Sequence, residues 1–177
     1  LKFNALYGIC LCLFAASAHA RVVEGFKEDS TQRELIIESG QFRMFGVHWI
    51  NYQTPISAEK DYTALSEEER ARWRNLNYEN MPESDVPPFP QGGLHALLGP
   101  IAAKNMDDEL NGSVKVLVEI APDGSPRKAE VYAAPSAAFG NYVMQVMLKN
   151  KFTPASCAGR PCAMVLPLEI LLKYQRR

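Results

Sequence analysis

Gly112-Ser113-Val114-Lys115-Val116-Leu117-Val118-Glu119-Ile120 is followed at once by Ala121-Pro122-Asp123-Gly124. Val114, Val116, Val118 and Ile120 alternate with Ser113, Lys115 and Glu119, the period-two pattern of a strand with one buried face. Pro122-Asp123-Gly124 is a turn with a mechanism, since Pro presets φ and Gly supplies a positive φ. From Arg127 to Ala133 the alternation resumes, with Ala129, Val131 and Ala133 on one side. Phe139, Val143, Val146 and Met147 then recur at helical spacing and form one stripe. Met164, Leu166, Leu168, Ile170 and Leu172 alternate along a long closing strand. Gly112 to Lys173 therefore reads as strand, turn, strand, helix, cysteine-clasped turn, strand. The expected class is α+β: a small antiparallel sheet with helices packed on one face.

Several marks of this stretch recur in a known order. Gly112-Ser113-Val114 opens a strand, Asp123-Gly124 makes the turn, Lys151-Phe152-Thr153-Pro154-Ala155 follows the helix, and Gly159-Arg160-Pro161 precedes the last strand. Together they resemble the C-terminal domain of the TonB energy-transducer family. Pro87-Pro88-Phe89-Pro90 is similar to the proline-plus-aromatic lead-in of that domain, with Phe where Tyr is usual. The resemblance implies a TonB C-terminal-like fold over residues 94–177. It also implies a part in receptor-dependent transport at the outer membrane, where the domain's edge receives a short box segment of the receptor. A transducer of that family has an uncleaved inner-membrane helix and a long Pro-rich arm, and this sequence departs from it in both respects.

Residues 1–20 read as a signal peptide. Lys2 gives a basic start, Ala5 to Ala16 an apolar run, and Ala18-His19-Ala20 a small-x-small cleavage site. The run is shorter than the roughly 20 residues of a spanning helix. Anchoring of the uncleaved segment in the inner membrane is the alternative. Cleavage after Ala20 would leave 157 of the 177 residues and, by removing Lys2, shift the formal net charge from −1 to −2. So even a balance gives no electrostatic argument for nucleic acid or an anionic membrane surface. The expected location is the periplasm.

Cys10 and Cys12 would leave with the signal, and Cys157 and Cys162 would remain, an even pair in an exported chain. Ala158-Gly159-Arg160-Pro161 between them is rich in turn formers, so a disulfide across the turn before the last strand is expected. A zinc site would need more ligands than two Cys, and His48 and His95 are distant in sequence. A redox pair usually has the tighter Cys-x-x-Cys spacing.

Residues 21–82 are expected to hold a hairpin and a capped helix. Arg21 to Asp29 is a polar lead-in, and Arg33–Glu38 and Phe42–Tyr52 read as strands around a Ser39-Gly40 turn, with a bulge at Gly46 restoring the facing. Ser66-Glu67-Glu68-Glu69 is a capping box that opens a helix running to about Asn77 or Glu79. Trp73 and Leu76, with Leu65 ahead of the cap, are its candidate buried side chains. Residues 83–93 form an acidic, Pro-rich connector. Leu94, Leu97, Leu98 and Ile101 follow at helical spacing, with Gly99-Pro100 marking a kink or the start of a second helix.

Signatures of catalysis are thin. The sequence has no Gly-x-Ser-x-Gly elbow, no phosphate-cradling glycine loop and no His-Glu-x-x-His. His48, beside Trp49 in an apolar run, reads as a structural histidine, and His95 as an exposed one. Asp107, Asp108 and Glu109 read as a hydrated helix end, Arg160 as an exposed turn residue or partner contact, and Lys173, Arg176 and Arg177 as a solvated basic tail. No cofactor, metal or small-molecule substrate is expected, and the chain is read as a non-enzyme.

The last strand carries the candidate site. Pro167 has no amide to donate, so it belongs where a strand edge is open. Val165, Glu169 and Leu171 share its side, and their main-chain groups would pair with an incoming extended peptide by strand addition. Pro167 would equally serve to block edge-to-edge aggregation. The resemblance favours binding, with an outer-membrane receptor peptide as the partner. The alternatives are an envelope adaptor using the Phe42–Tyr52 hairpin and the helix after Ser66, and, from another class, a hydrolase or metal enzyme built on His48.

Overall fold

The computed structural model describes residues 35–42 and 47–176. The expected signal peptide, the Arg21–Asp29 lead-in and the Gly46 bulge lie outside the described residues. In chain order the elements are β1 (Leu35–Phe42), β2 (Val47–Gln53), a 3-10 turn (Tyr62–Ala64), α1 (Glu67–Asn77), β3 (Phe89–Pro90), α2 (His95–Asp108), β4 (Gly112–Ile120), β5 (Pro126–Ala133), α3 (Ala137–Lys149), β6 (Phe152–Thr153), β7 (Ala155–Cys157), β8 (Arg160–Cys162) and β9 (Met164–Arg176).

The alternation at Val114–Ile120 and Leu166–Leu172 does what such a pattern dictates. Val114, Val116, Val118, Ile120, Leu166, Leu168, Ile170 and Leu172 are all buried. Each meets a counterpart across an antiparallel β4–β9 ladder, with Val116 opposite Leu168 and Val118 opposite Leu166. Phe139, Val143, Val146 and Met147 of α3, and Leu97, Leu98 and Ile101 of α2, join the same core. The Ser136 hydroxyl caps α3 by accepting from the Phe139 amide at 3.2 Å. α2 runs unbroken through Pro100, and the Tyr142 hydroxyl donates to the Pro100 carbonyl at 3.3 Å.

The five-stranded sheet has the order β2-β1-β9-β4-β5. Its class is α+β, but the sheet is mixed, because β1 runs parallel to β9 from Leu35 opposite Ile170 to Gln41 opposite Arg176. That corrects the expectation of an antiparallel sheet preceded by a separate hairpin: β1 and β2 extend the same sheet.

The expected turn at Ser39-Gly40 is also corrected. Both residues lie within β1, opposite Ile50 and Trp49 of β2. Gly40 is there for close approach, since a Cβ would come within 2.0 Å of the Gln175 carbonyl and 2.9 Å of the Trp49 indole nitrogen. Ser39 is buried and accepts at its hydroxyl from the Asn105 amide at 3.3 Å, tying β1 to α2.

The capping box at Ser66 and Glu69 forms as its spacing dictates. Trp73 and Leu65 are buried, while Leu76 is half-exposed. The Pro-rich stretch is docked rather than loose. Phe89 is buried edge-on against Trp73, with ring centroids 5.1 Å apart, and the Trp73 indole donates to the Pro88 carbonyl at 3.2 Å. Phe89 and Pro90 pair with Thr153 and Phe152, so one core cluster draws on residues from both sides of the connector.

Candidate functional site

The candidate site is the side of β9 that faces away from β4. The alternation predicted for this strand sets which groups lie there. Leu166, Leu168, Ile170 and Leu172 send their side chains into the core, while Val165, Pro167, Glu169 and Leu171 lie half-buried on the other face. Pro167 is opposite Leu117 of β4. Lacking an N–H, it fits only where the ladder asks no donation of it, so the odd-numbered residues turn their main-chain groups away from β4.

That outward side is occupied at two points. The Val165 carbonyl accepts from the Tyr78 hydroxyl at 2.9 Å. Tyr78 is the residue after α1 and is buried, and burial pushes its phenol well above the usual range, so the group remains a neutral donor. At the other end Leu171 stands opposite Ile36 inside the parallel β1–β9 ladder. The expected open edge from Val165 to Leu171 is therefore corrected at Leu171, which the chain's own β1 covers. Between these points, among the described residues, only β4 lies alongside Leu166–Leu168 as a strand, since the parallel pairing of Leu35 with Ile170 sets the Leu35 amide against the Glu169 carbonyl.

Charge on this face is paired. The Glu169 carboxylate lies 3.2 Å from the Lys115 ammonium, and Lys173 lies 3.9 Å from Glu38. Glu38 also accepts from the Asn51 amide at 3.3 Å. Of the expected solvated basic tail, Arg176 is exposed and pairs with Glu109, which also accepts from the Tyr174 hydroxyl at 3.0 Å, and Arg177 lies outside the described residues. The Arg176 guanidinium holds the Glu109 carboxyl below its ordinary value. Asp108 pairs with Lys104, so this helix end is bridged rather than merely hydrated.

Below the site, Cys157 and Cys162 form the expected disulfide, closing the β7–β8 hairpin with their Cα atoms 5.8 Å apart. The hairpin carries a consequence that the spacing alone does not show. Ser156 exchanges two backbone hydrogen bonds with Val86, of 2.8 and 2.9 Å, and the Asp85 carboxylate accepts from the Ala158 amide at 2.9 Å. The disulfide hairpin thus fastens the Pro-rich stretch that runs on from α1 and Tyr78. Arg160 is exposed in its turn.

Of the two histidines expected in the folded part, His48 is exposed on β2 and not the structural core residue its apolar surroundings suggested. The exposed setting of His95 is as read, and its Nδ1 lies 3.4 Å from Glu59. Among the described residues no group of three His, Cys, Asp or Glu side chains is placed to hold a metal ion. No helix among them is long and apolar enough to cross a membrane. A surface cavity of about 240 Å³ opens between β5 and α3, lined by Val131, Tyr132, Ala134, Ser136, Gly140 and Asn141. Tyr78 is the site residue that sequence reasoning missed, since nothing local in Asn77-Tyr78-Glu79 points to a partner 87 residues along the chain.

No family model, curated protein or solved structure matches the chain.

Proposed function

We propose that the chain is a periplasmic, TonB-like binding module that serves receptor-dependent transport at the outer membrane. In this reading an extended receptor peptide lies along β9 between Val165 and Glu169 and pairs by strand addition. The observation that carries it is the interval on β9 between Tyr78 and β1, where main-chain groups turn outward with no strand of the described residues beside them. The motif order around Gly112, Asp123, Phe152 and Gly159 supports the TonB-like assignment, and the signal signature and the Cys157–Cys162 pair support the oxidising compartment. The reading requires no cofactor and no chemistry by the chain itself. Tyr78 occupies the Val165 carbonyl in the peptide-free state, so a peptide displaces this hydroxyl as it pairs.

Capture on immobilised receptor-box peptide tests the proposal. The chain is retained, and Val165→Pro, which removes an outward N–H, weakens retention. Equal retention of the two would remove β9 from the binding account.

A second reading is an envelope adaptor that docks through the hairpin and α1. Val47 and Ile50, large apolar side chains exposed on β2, favour it. Affinity capture from envelope membranes separates the two, because an adaptor brings down a partner that is not a receptor.

A further inference from the structure

We infer that two copies of this chain pair edge to edge through β2, joining their sheets into one. β5 and β2 are the two outer strands of the five-stranded sheet. An outer strand invites another strand unless something discourages it. β5 carries Arg127, Lys128 and Glu130, and its register against β4 shifts at two places. The stretch of β9 not paired with β1 carries Pro167 and is capped by the Tyr78 hydroxyl at Val165. β2, Val-His-Trp-Ile-Asn-Tyr-Gln, has no Lys, Arg, Asp, Glu or Pro, and it pairs with β1 without a register shift. Val47 is 53% and Ile50 38% exposed, and among the described residues no strand lies beyond β2.

The outward main-chain groups of β2, together with the absence of charge along it, fit a second copy as the occupant. Odd-numbered residues of β9 face β1, so Leu35, Ile37 and Ser39 turn their main-chain groups to β9, and Ile36, Glu38 and Gly40 turn theirs to Gln53, Asn51 and Trp49. His48, Ile50 and Tyr52 therefore direct N–H and C=O outward. A two-fold axis at Ile50 sets Ile50 against its own copy in an antiparallel hydrogen-bonded pair. His48 then faces the second copy's Tyr52, and Trp49 its Asn51. No like charges meet, because the strand has none. The two Ile50 side chains cover one another at the rim of the sheet. A charged partner strand would find no counter-charge along Val47–Gln53, whereas this uncharged strand complements itself.

The inference is independent of peptide binding, since β1 separates β2 from β9. Sedimentation velocity of the full chain tests it with Ile50→Lys, Ile50→Glu and their equimolar mixture. At the two-fold axis each substitution sets like charges face to face, and the mixture sets opposite ones. The unmodified chain is expected to sediment as a dimer, each variant alone as a monomer, and the mixture again as a dimer. In the unmodified chain, amide exchange at Ile50 and Tyr52 is expected to slow as concentration rises. A wild-type monomer throughout, variants that stay dimeric, a mixture that stays monomeric, or Ile50 and Tyr52 amides that exchange equally fast in the dimer would each overturn the inference.

Discussion

The Tyr78 hydroxyl donates to the Val165 carbonyl at 2.9 Å, so the residue that ends α1 takes the first outward acceptor of β9. The contact joins two parts of the chain that sequence reading separates by a Pro-rich connector. It satisfies an outward carbonyl without a partner strand, and it protects an edge as a covering element does.

Tyr78→Phe removes this hydrogen bond and leaves the carbonyl to find another donor. A loss of about 1 kcal/mol in chemical denaturation is expected, with the denaturant slope unchanged. Under the peptide-binding reading the same variant also binds receptor-box peptide more tightly, because no hydroxyl has to be displaced.

Replacing Cys157 and Cys162 by Ser together is expected to cost roughly 2 kcal/mol, the chain-entropy value for so short a loop. The loss is local in its dynamics. Amide exchange accelerates first at Val86, Ser156 and Ala158, whose hydrogen bonds the hairpin presents.

Acid acts through Glu69. Its carboxylate accepts from the Ser66 amide and the Ser57 amide, each at 2.9 Å, with Lys60 3.3 Å away. The Ser66 bond above all, then the Ser57 bond, lowers its pKa from 4.5 to about 2. A depressed carboxylate contributes stability that is present above the unfolded value and lost as pH falls through the folded one. The wild-type chain therefore loses this contribution between pH 4.5 and about 2, and Glu69→Gln, which lacks it at neutral pH, shows a shallower acid dependence over that window. Thermal melts across the range measure it.

Gly40→Ala forces a Cβ against the Gln175 carbonyl in the β1–β9 ladder. A loss of about 1–3 kcal/mol is expected, the usual cost of overpacking, with the emission of neighbouring Trp49 altered. A melting temperature equal to wild type would mean that β1 is not seated on β9 as described.

The core was legible because its signals are local. Val114–Ile120, Leu166–Leu172 and the Phe139–Met147 stripe each bury the face that their period marks. The capping box and the Cys157–Cys162 pair were legible for the same reason, since short spacing fixes their geometry. The amino-terminal strands were not. Ser39-Gly40 has turn chemistry, yet the structure uses Ser39 for a buried bond to Asn105 and Gly40 for the absence of a side chain, and both partners are remote in sequence. Pro167 correctly marked a place where β9 donates nothing outward, but alternation within one strand cannot show that β1 closes the edge from Ile170 onward. Tyr78 escaped notice because only the packed chain brings it to Val165.

The most direct test of the central claim is an amide-shift titration of the full chain with receptor-box peptide. The account predicts shifts concentrated at Val165, Leu166, Leu168 and Glu169, accompanied by a change at the Tyr78 ring as its hydroxyl leaves the Val165 carbonyl. Saturating peptide that leaves these amides unmoved, or moves only those of β2, would contradict it.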